Sequence, residues 1–163
     1  AMTARIGLKP NEDEYILMGM AAYGNPDRFY DDVKELCLDG TNFHRGCSWW
    51  KPELTEADYF DVAAATQKLY ERYFASLLRM TKDMTGEDNL VFMGGCALNC
   101  VENRLIPQDV DKHGVMPNPG DAGSSLGGIL AHIKQKIDVD NACVGEEMEG
   151  NYPFDAALEN MLS

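Results

Sequence analysis

Between about Asp58 and Met84 the apolar residues Val62, Ala65, Leu69, Tyr73, Leu77, Met80 and Met84 recur at steps of three and four. That spacing is the stripe of one helix face. Tyr70, Phe74 and Leu78 widen the stripe, which predicts a helix buried over much of its surface. Gly86 stands where a left-handed C-terminal cap would end it. The pattern then changes. Leu90 to Met93 is a short continuous apolar run, read as a strand, followed by a Gly94-Gly95 turn and a helix from about Cys96 to Leu105. A second unit repeats this order. Val115 and Met116 read as extended, and Pro117 and Pro119 preclude helix before Gly120. Asp121 occupies the N-cap position of a helix whose apolar positions are Leu126, Leu130, Ile133 and Ile137. Two strand-turn-helix units in succession predict an α/β fold, a sheet with helices packed on it.

The first third of the chain carries weaker signals. "EYILMGMAAYGNPDRF" is a short apolar segment closed by the turn residues Gly24, Asn25 and Pro26. Leu36 and Leu38 alternate with polar neighbours ahead of Asp39-Gly40, and Thr41 to Phe43 continue extended, which predicts a hairpin. Trp49 and Trp50 lie beyond it, before Pro52. Residues 24–60 therefore read as an irregular, hairpin-containing excursion, and residues 61–137 as the α/β part. From Asp138 the chain turns acidic, "DVDNACVGEEMEGNYPF", and residues 138–163 read as a linker.

Composition narrows the function classes. The 163 residues are 45% hydrophobic and 25% charged, an ordinary globular balance. A net charge of −13 repels nucleic-acid phosphates and anionic membranes, so neither is an expected partner. No apolar run approaches the length of a membrane span. The five cysteines, Cys37, Cys47, Cys96, Cys100 and Cys143, are odd in number and follow no zinc-ligand spacing. They read as buried thiols of a cytoplasmic protein rather than as a disulfide framework.

The two turns are the candidate site. In an open α/β sheet, ligands settle at the carboxyl ends of strands, where helix N-termini present free N–H groups. Gly94 and Gly95 either make a tight turn or let a sugar or phosphate approach bare backbone. Asn99, and Asn103 one turn later, either bond a ligand or are solvated. In "PNPGDAGSSLGG", Gly123 and Gly127 share a face, and Asp121 is either a helix cap or a cation ligand. No histidine partners it locally: His113 lies eight residues earlier and His132 is mid-helix. Cys96 reads as a packing residue, since no histidine or acidic partner stands near it.

Three separated stretches together resemble one family, the O-carbamoyltransferases that modify nodulation factors and antibiotics, with phage-encoded relatives. They are "LMGMAAYG" at 17–24, "FMGGCALNCVENRLI" at 92–106 and "MPNPGDAGSSLGGILA" at 116–131. The family's typical wording is close to "MGLAxYG", "GGVALNxxxN" and "PxPGDAGxALGAAL", with departures here at Met20, Ala22, Cys96 and Ser125. The resemblance covers roughly residues 8–150. It implies the second half of an actin-like ATPase domain, of the ribonuclease H-like kind shared with sugar kinases, with residues 1–23 ending its preceding part. It also implies ATP and carbamoyl phosphate as substrates, carbamoyl-adenylate as the intermediate, and a small hydroxyl-bearing acceptor. Carried over residue by residue, Gly94, Gly95, Asn99, Asn103, Gly120 and Gly123 line the nucleotide pocket. Asp121 becomes the ligand of a divalent metal, iron in many members.

The family's His-x-x-x-His metal pair is absent, since His44, His113 and His132 form no such spacing. The resemblance places that pair upstream of this chain and an adenylate-forming, YrdC-like domain downstream. The chain alone is therefore expected to be inactive, to need the rest of the same polypeptide, and to leave an apolar surface uncovered. No residue reads as a general base. Two rivals carry less of the pattern. A tRNA threonylcarbamoyl transferase would have a "DNAAM"-like stretch where this chain has "GDAGSSLG". A non-catalytic actin-like module would lack the histidine pair altogether.

Overall fold

The computed structural model describes residues 1–37, 50 and 53–135. The predicted hairpin beyond Cys37, Trp49, Ile137 and the acidic stretch from 138 lie outside the described residues. Among the described residues six helices and two strands follow in order: α1 (Met2–Arg5), α2 (Glu14–Met20), α3 (Tyr30–Cys37), α4 (Glu56–Thr85), β1 (Asn89–Phe92), α5 (Cys100–Asn103), β2 (Lys112–Val115) and α6 (Ser124–Ile133). Short 3-10 turns at Ala21–Tyr23, Gly95–Leu98, Ile106–Gln108 and Asp121–Gly123 join them.

The long helix forms as its stripe predicts, over 30 residues or about 45 Å. It starts at a capping box: the Asp58 carboxylate accepts from the Thr55 backbone N–H and from the Thr55 hydroxyl, both at 2.7 Å. Those bonds hold the Asp58 carboxyl below the usual carboxylate range, and the paired Arg28 guanidinium adds to the effect. It ends at Gly86, whose φ of 71° is left-handed and whose N–H bonds the Lys82 carbonyl at 2.7 Å.

The stripe does not stay on one buried face. Val62, Ala65 and Leu69 are buried in the main core, with Met2, Ile6, Leu17, Val33, Leu36 and Trp50. Tyr73, Leu77, Met80 and Met84 are exposed. Over the second half of α4 the flanking residues Phe74 and Leu78 do the packing, in a smaller core with Leu90, Phe92, Ile106 and Val110. The Phe74 and Phe92 rings lie 4.8 Å apart. One helix thus serves two cores on slightly different faces.

The strands pair in parallel, Asn89 opposite Lys112 through Phe92 opposite Val115. The result is a small parallel sheet flanked by helices, compatible with the α/β expectation. One face lies on α4 through Leu90 and Phe92. On the other side Val91 is 71% exposed, while Val115, paired with Phe92 and so on the same face as it, is 37% exposed. Parallel strands are ordinarily covered on both faces. Leu98, Ile129 and Ile133 are also exposed.

Four local expectations need correction. Residues 30–37 are helical rather than the first arm of a hairpin, because Val33 and Leu36, three apart, both enter the main core. The predicted helix from Cys96 to Leu105 is broken: a 3-10 turn and the short α5 replace it, and a plain turn follows at 104–105. The second strand lies at Lys112–Val115, earlier than Val115-Met116. Backbone pairing with β1 decides this, through polar residues that carry no hydrophobic signal. Helix α6 begins at Ser124 with Gly123 at its N-cap, so Asp121 belongs to the preceding 3-10 turn and makes no capping hydrogen bond.

Candidate nucleotide-binding turns at the strand ends

Parallel pairing brings the ends of β1 and β2 side by side, and with them the two glycine-rich turns. The turns touch. The Gly94 N–H donates to the Pro119 carbonyl at 2.7 Å, and Pro119 is buried. A Cβ on Gly120 would lie 3.6 Å from Leu98 Cδ1 and 3.9 Å from Gly95 Cα.

The glycines have different reasons. Gly94 adopts φ 96°, a conformation that L side chains rarely take. At Gly95 φ is not left-handed and a Cβ would meet nothing within 4 Å, so the backbone faces open space. Gly123 is needed for packing, since a Cβ there would come 2.1 Å from the Asn118 carbonyl oxygen. Gly127 has open space before it.

The two asparagines are engaged within the protein. Asn99 caps α5, its Oδ1 accepting from the Glu102 N–H at 3.1 Å. The same amide pairs with Gln67 on α4: Asn99 Nδ2 donates to Gln67 Oε1 at 3.0 Å, and Gln67 Nε2 donates to Asn99 Oδ1 at 3.3 Å. Asn103 Nδ2 donates to the Ala97 carbonyl at 2.8 Å, while its Oδ1 is buried without a partner.

Asp121 is exposed at the start of its 3-10 turn. Among the described residues no three His, Cys, Asp or Glu side chains come together as a metal site. His113 and His132 are exposed. Asp121 is at most one ligand, and the residues described do not by themselves make a metal centre. Cys96 and Cys100 are free and exposed rather than buried.

Sequence reading missed the residues behind the turn. Gln67 is buried on α4, and Glu102 is 1% exposed with Oε2 unpartnered. Burial, and then the Glu71 carboxylate, push the Glu102 carboxyl up to about 7. The Tyr70 hydroxyl is also buried without a partner. Burial raises its pKa well above the phenol range, and Cys96 and Glu102 add to the shift. One signal was available: Asn99-x-x-Glu102 has the spacing of a capping box. No helix among the described residues is long and apolar enough to cross a membrane.

Comparison with known proteins supplies the family. A family model described as the carbamoyltransferase N-terminus matches residues 1–130. An uncharacterized protein of Synechocystis, sll1178, is 32% identical over 160 residues, covering 80% of this chain and 26% of that protein. The nodulation protein NolO of Bradyrhizobium diazoefficiens is 31% identical over 134 residues, 72% of this chain and 24% of its own length. The nodulation protein NolNO of Sinorhizobium fredii is 30% identical over 137 residues, again 72% of this chain and 20% of its own. The chain spans about a quarter of the length of these relatives. By the family match over most of its length, and by the motifs on its two strand-end turns, this chain belongs to the carbamoyltransferase family.

Proposed function

We propose that this chain is part of an ATP-dependent O-carbamoyltransferase with an actin-like ATPase fold, and that its paired turns cradle the nucleotide. The substrates on this reading are carbamoyl phosphate, ATP and a small hydroxyl-bearing acceptor. The activated intermediate is carbamoyl-adenylate. In the transfer step the acceptor oxygen bonds to the carbamoyl carbon, the carbon–oxygen bond to the phosphate of AMP breaks, and the acceptor proton leaves to a base.

The observation that carries the reading is the contact between the Gly94-Gly95 and Pro119-Gly120 turns at the ends of adjacent parallel strands. Open backbone at Gly95, beside a turn tied to it by a hydrogen bond, suits a ribose or phosphate laid across both. The engaged amides of Asn99 and Asn103 fit a supporting role better than direct ligand contact. Asp121, exposed and not capping, is free to serve as one metal ligand if others come from elsewhere in the protein.

The test is transfer of labelled carbamoyl from carbamoyl phosphate to a polyol acceptor, with AMP release, by the full-length protein and its Gly95→Val variant. A branched side chain at Gly95 would fill the open space proposed for the nucleotide. The variant should keep its melting temperature while its KM for ATP rises or turnover falls. Unchanged ATP kinetics in a folded variant would refute the cradle, and unfolding of the variant would make Gly95 a structural turn residue.

A further inference from the structure

The 3-10 turn at Gly95–Leu98 and the four residues of α5 are too short to hold their own shape. Their fixing points lie on α4. Gln67 grips Asn99 through two hydrogen bonds, at 3.0 and 3.3 Å, and its Nε2 also donates to Glu71 at 3.2 Å. Asn99 in turn holds the Glu102 N–H, and Asn103 ties back to the Ala97 carbonyl inside the turn. The Glu102 side chain is packed away from water with one oxygen unpartnered. The titratable groups around it are Glu71 and Tyr70 of α4, with Cys96 of the turn beside Tyr70; none of these is a cation.

A buried carboxylate facing another carboxylate is unfavourable as an anion and tolerable as a neutral acid. We propose that Gln67 and Glu102 are positioning residues: Gln67 clamps Asn99, and neutral Glu102 keeps the Gly94–Leu98 turn seated on α4 in the shape that accepts the nucleotide. The proposal rests on the nucleotide reading above. Ionisation of Glu102 loosens the clamp.

The sign follows from the carboxyl's position at about 7 in the folded chain, against its ordinary 4.5. The folded state keeps the proton that the unfolded chain has released. Stability therefore falls as pH rises from the ordinary value through about 7, and the loss is complete above that.

The test uses the full-length protein, with melting curves and ATP titration calorimetry at several pH values from below 6 to above 8. Glu102→Gln is the isostere of the neutral acid and should carry the low-pH behaviour upward. Its melting temperature should rise relative to the parent as pH increases, and its ATP affinity should stay flat where the parent's falls by roughly tenfold. Gln67→Met keeps the volume and removes the amide; its KM for ATP should rise roughly fivefold to tenfold, more than its kcat falls. Parallel pH profiles for the parent and Glu102→Gln, in both melting and affinity, would overturn the proposal. Absence of ATP binding at every pH would instead overturn the nucleotide reading, and the melting profiles would then decide the clamp alone. Should Gln67→Met fail to fold, the Glu102→Gln profiles still decide.

Discussion

Gly24 closes the stretch "LMGMAAYG", and its packing makes a sharp prediction. The residue is extended, with φ −104° and ψ 165°, so alanine meets no backbone objection there. The objection is steric. A Cβ would lie 1.9 Å from the Phe60 carbonyl oxygen, 2.2 Å from its carbon and 2.7 Å from the Asp61 nitrogen, all backbone atoms of α4. Relief requires the two segments to separate by about 1 Å or more. That separation pulls the Asn25 N–H from Asp61 Oδ1, now at 2.6 Å, and disturbs the pairing of Arg28 with Asp58 and Asp61. Overpacking costs about 1–3 kcal/mol. The exposed hydrogen bond adds up to about 1 kcal/mol, since water replaces part of it. Restriction of the unfolded chain returns about 0.5–1 kcal/mol. Gly24→Ala should therefore destabilise by about 2 kcal/mol, a drop of roughly 4–8 °C in Tm for a chain of this size. Gly19→Ala is the matched control. It lies in α2 of the same stretch, and a Cβ there meets nothing within 4 Å. It should gain about 0.5–1 kcal/mol. Urea unfolding and thermal melting of both variants read the difference. If Gly24→Ala were as stable as Gly19→Ala, the close approach of this stretch to α4 would be wrong.

Two further substitutions separate structural from chemical roles. Ile106→Ala empties the centre of the smaller core, where Ile106 is fully buried beside Leu78 and Val110. It should cost about 3 kcal/mol by urea unfolding, and a loss under 1 kcal/mol would mean that this core is not closed. Asp121→Asn keeps the shape and removes the charge of a residue that makes no capping bond. In the full-length protein it should melt within a few degrees of the parent when both are metal-free. Elemental analysis should find much less bound metal, and carbamoyl transfer should be poor; full metal occupancy would remove Asp121 from the ligand set.

Local chemistry was enough for some of the fold. The long helix, its Gly86 terminus, the strand after it and the sharp turn at Gly94 were all legible, because each rests on a hydrophobic period or a backbone angle that residue types encode directly. The three motif stretches likewise carried the family. Tertiary structure decided the rest. Which face of α4 is buried changes along its length, since the second core sits to one side of the first; a period of three and four cannot show that shift. Residues 30–37 became helical because Val33 and Leu36 share a core, whereas Leu36 and Leu38 in isolation read as alternation. Strand β2 is polar and exists through its pairing with β1. At the site, the sequence named the glycines and asparagines but not what the asparagines hold. Gln67 lies 32 positions from Asn99, and only the packing of α5 on α4 brings their amides together. The same packing buries Glu102, and burial rather than any local motif holds its proton near neutral pH.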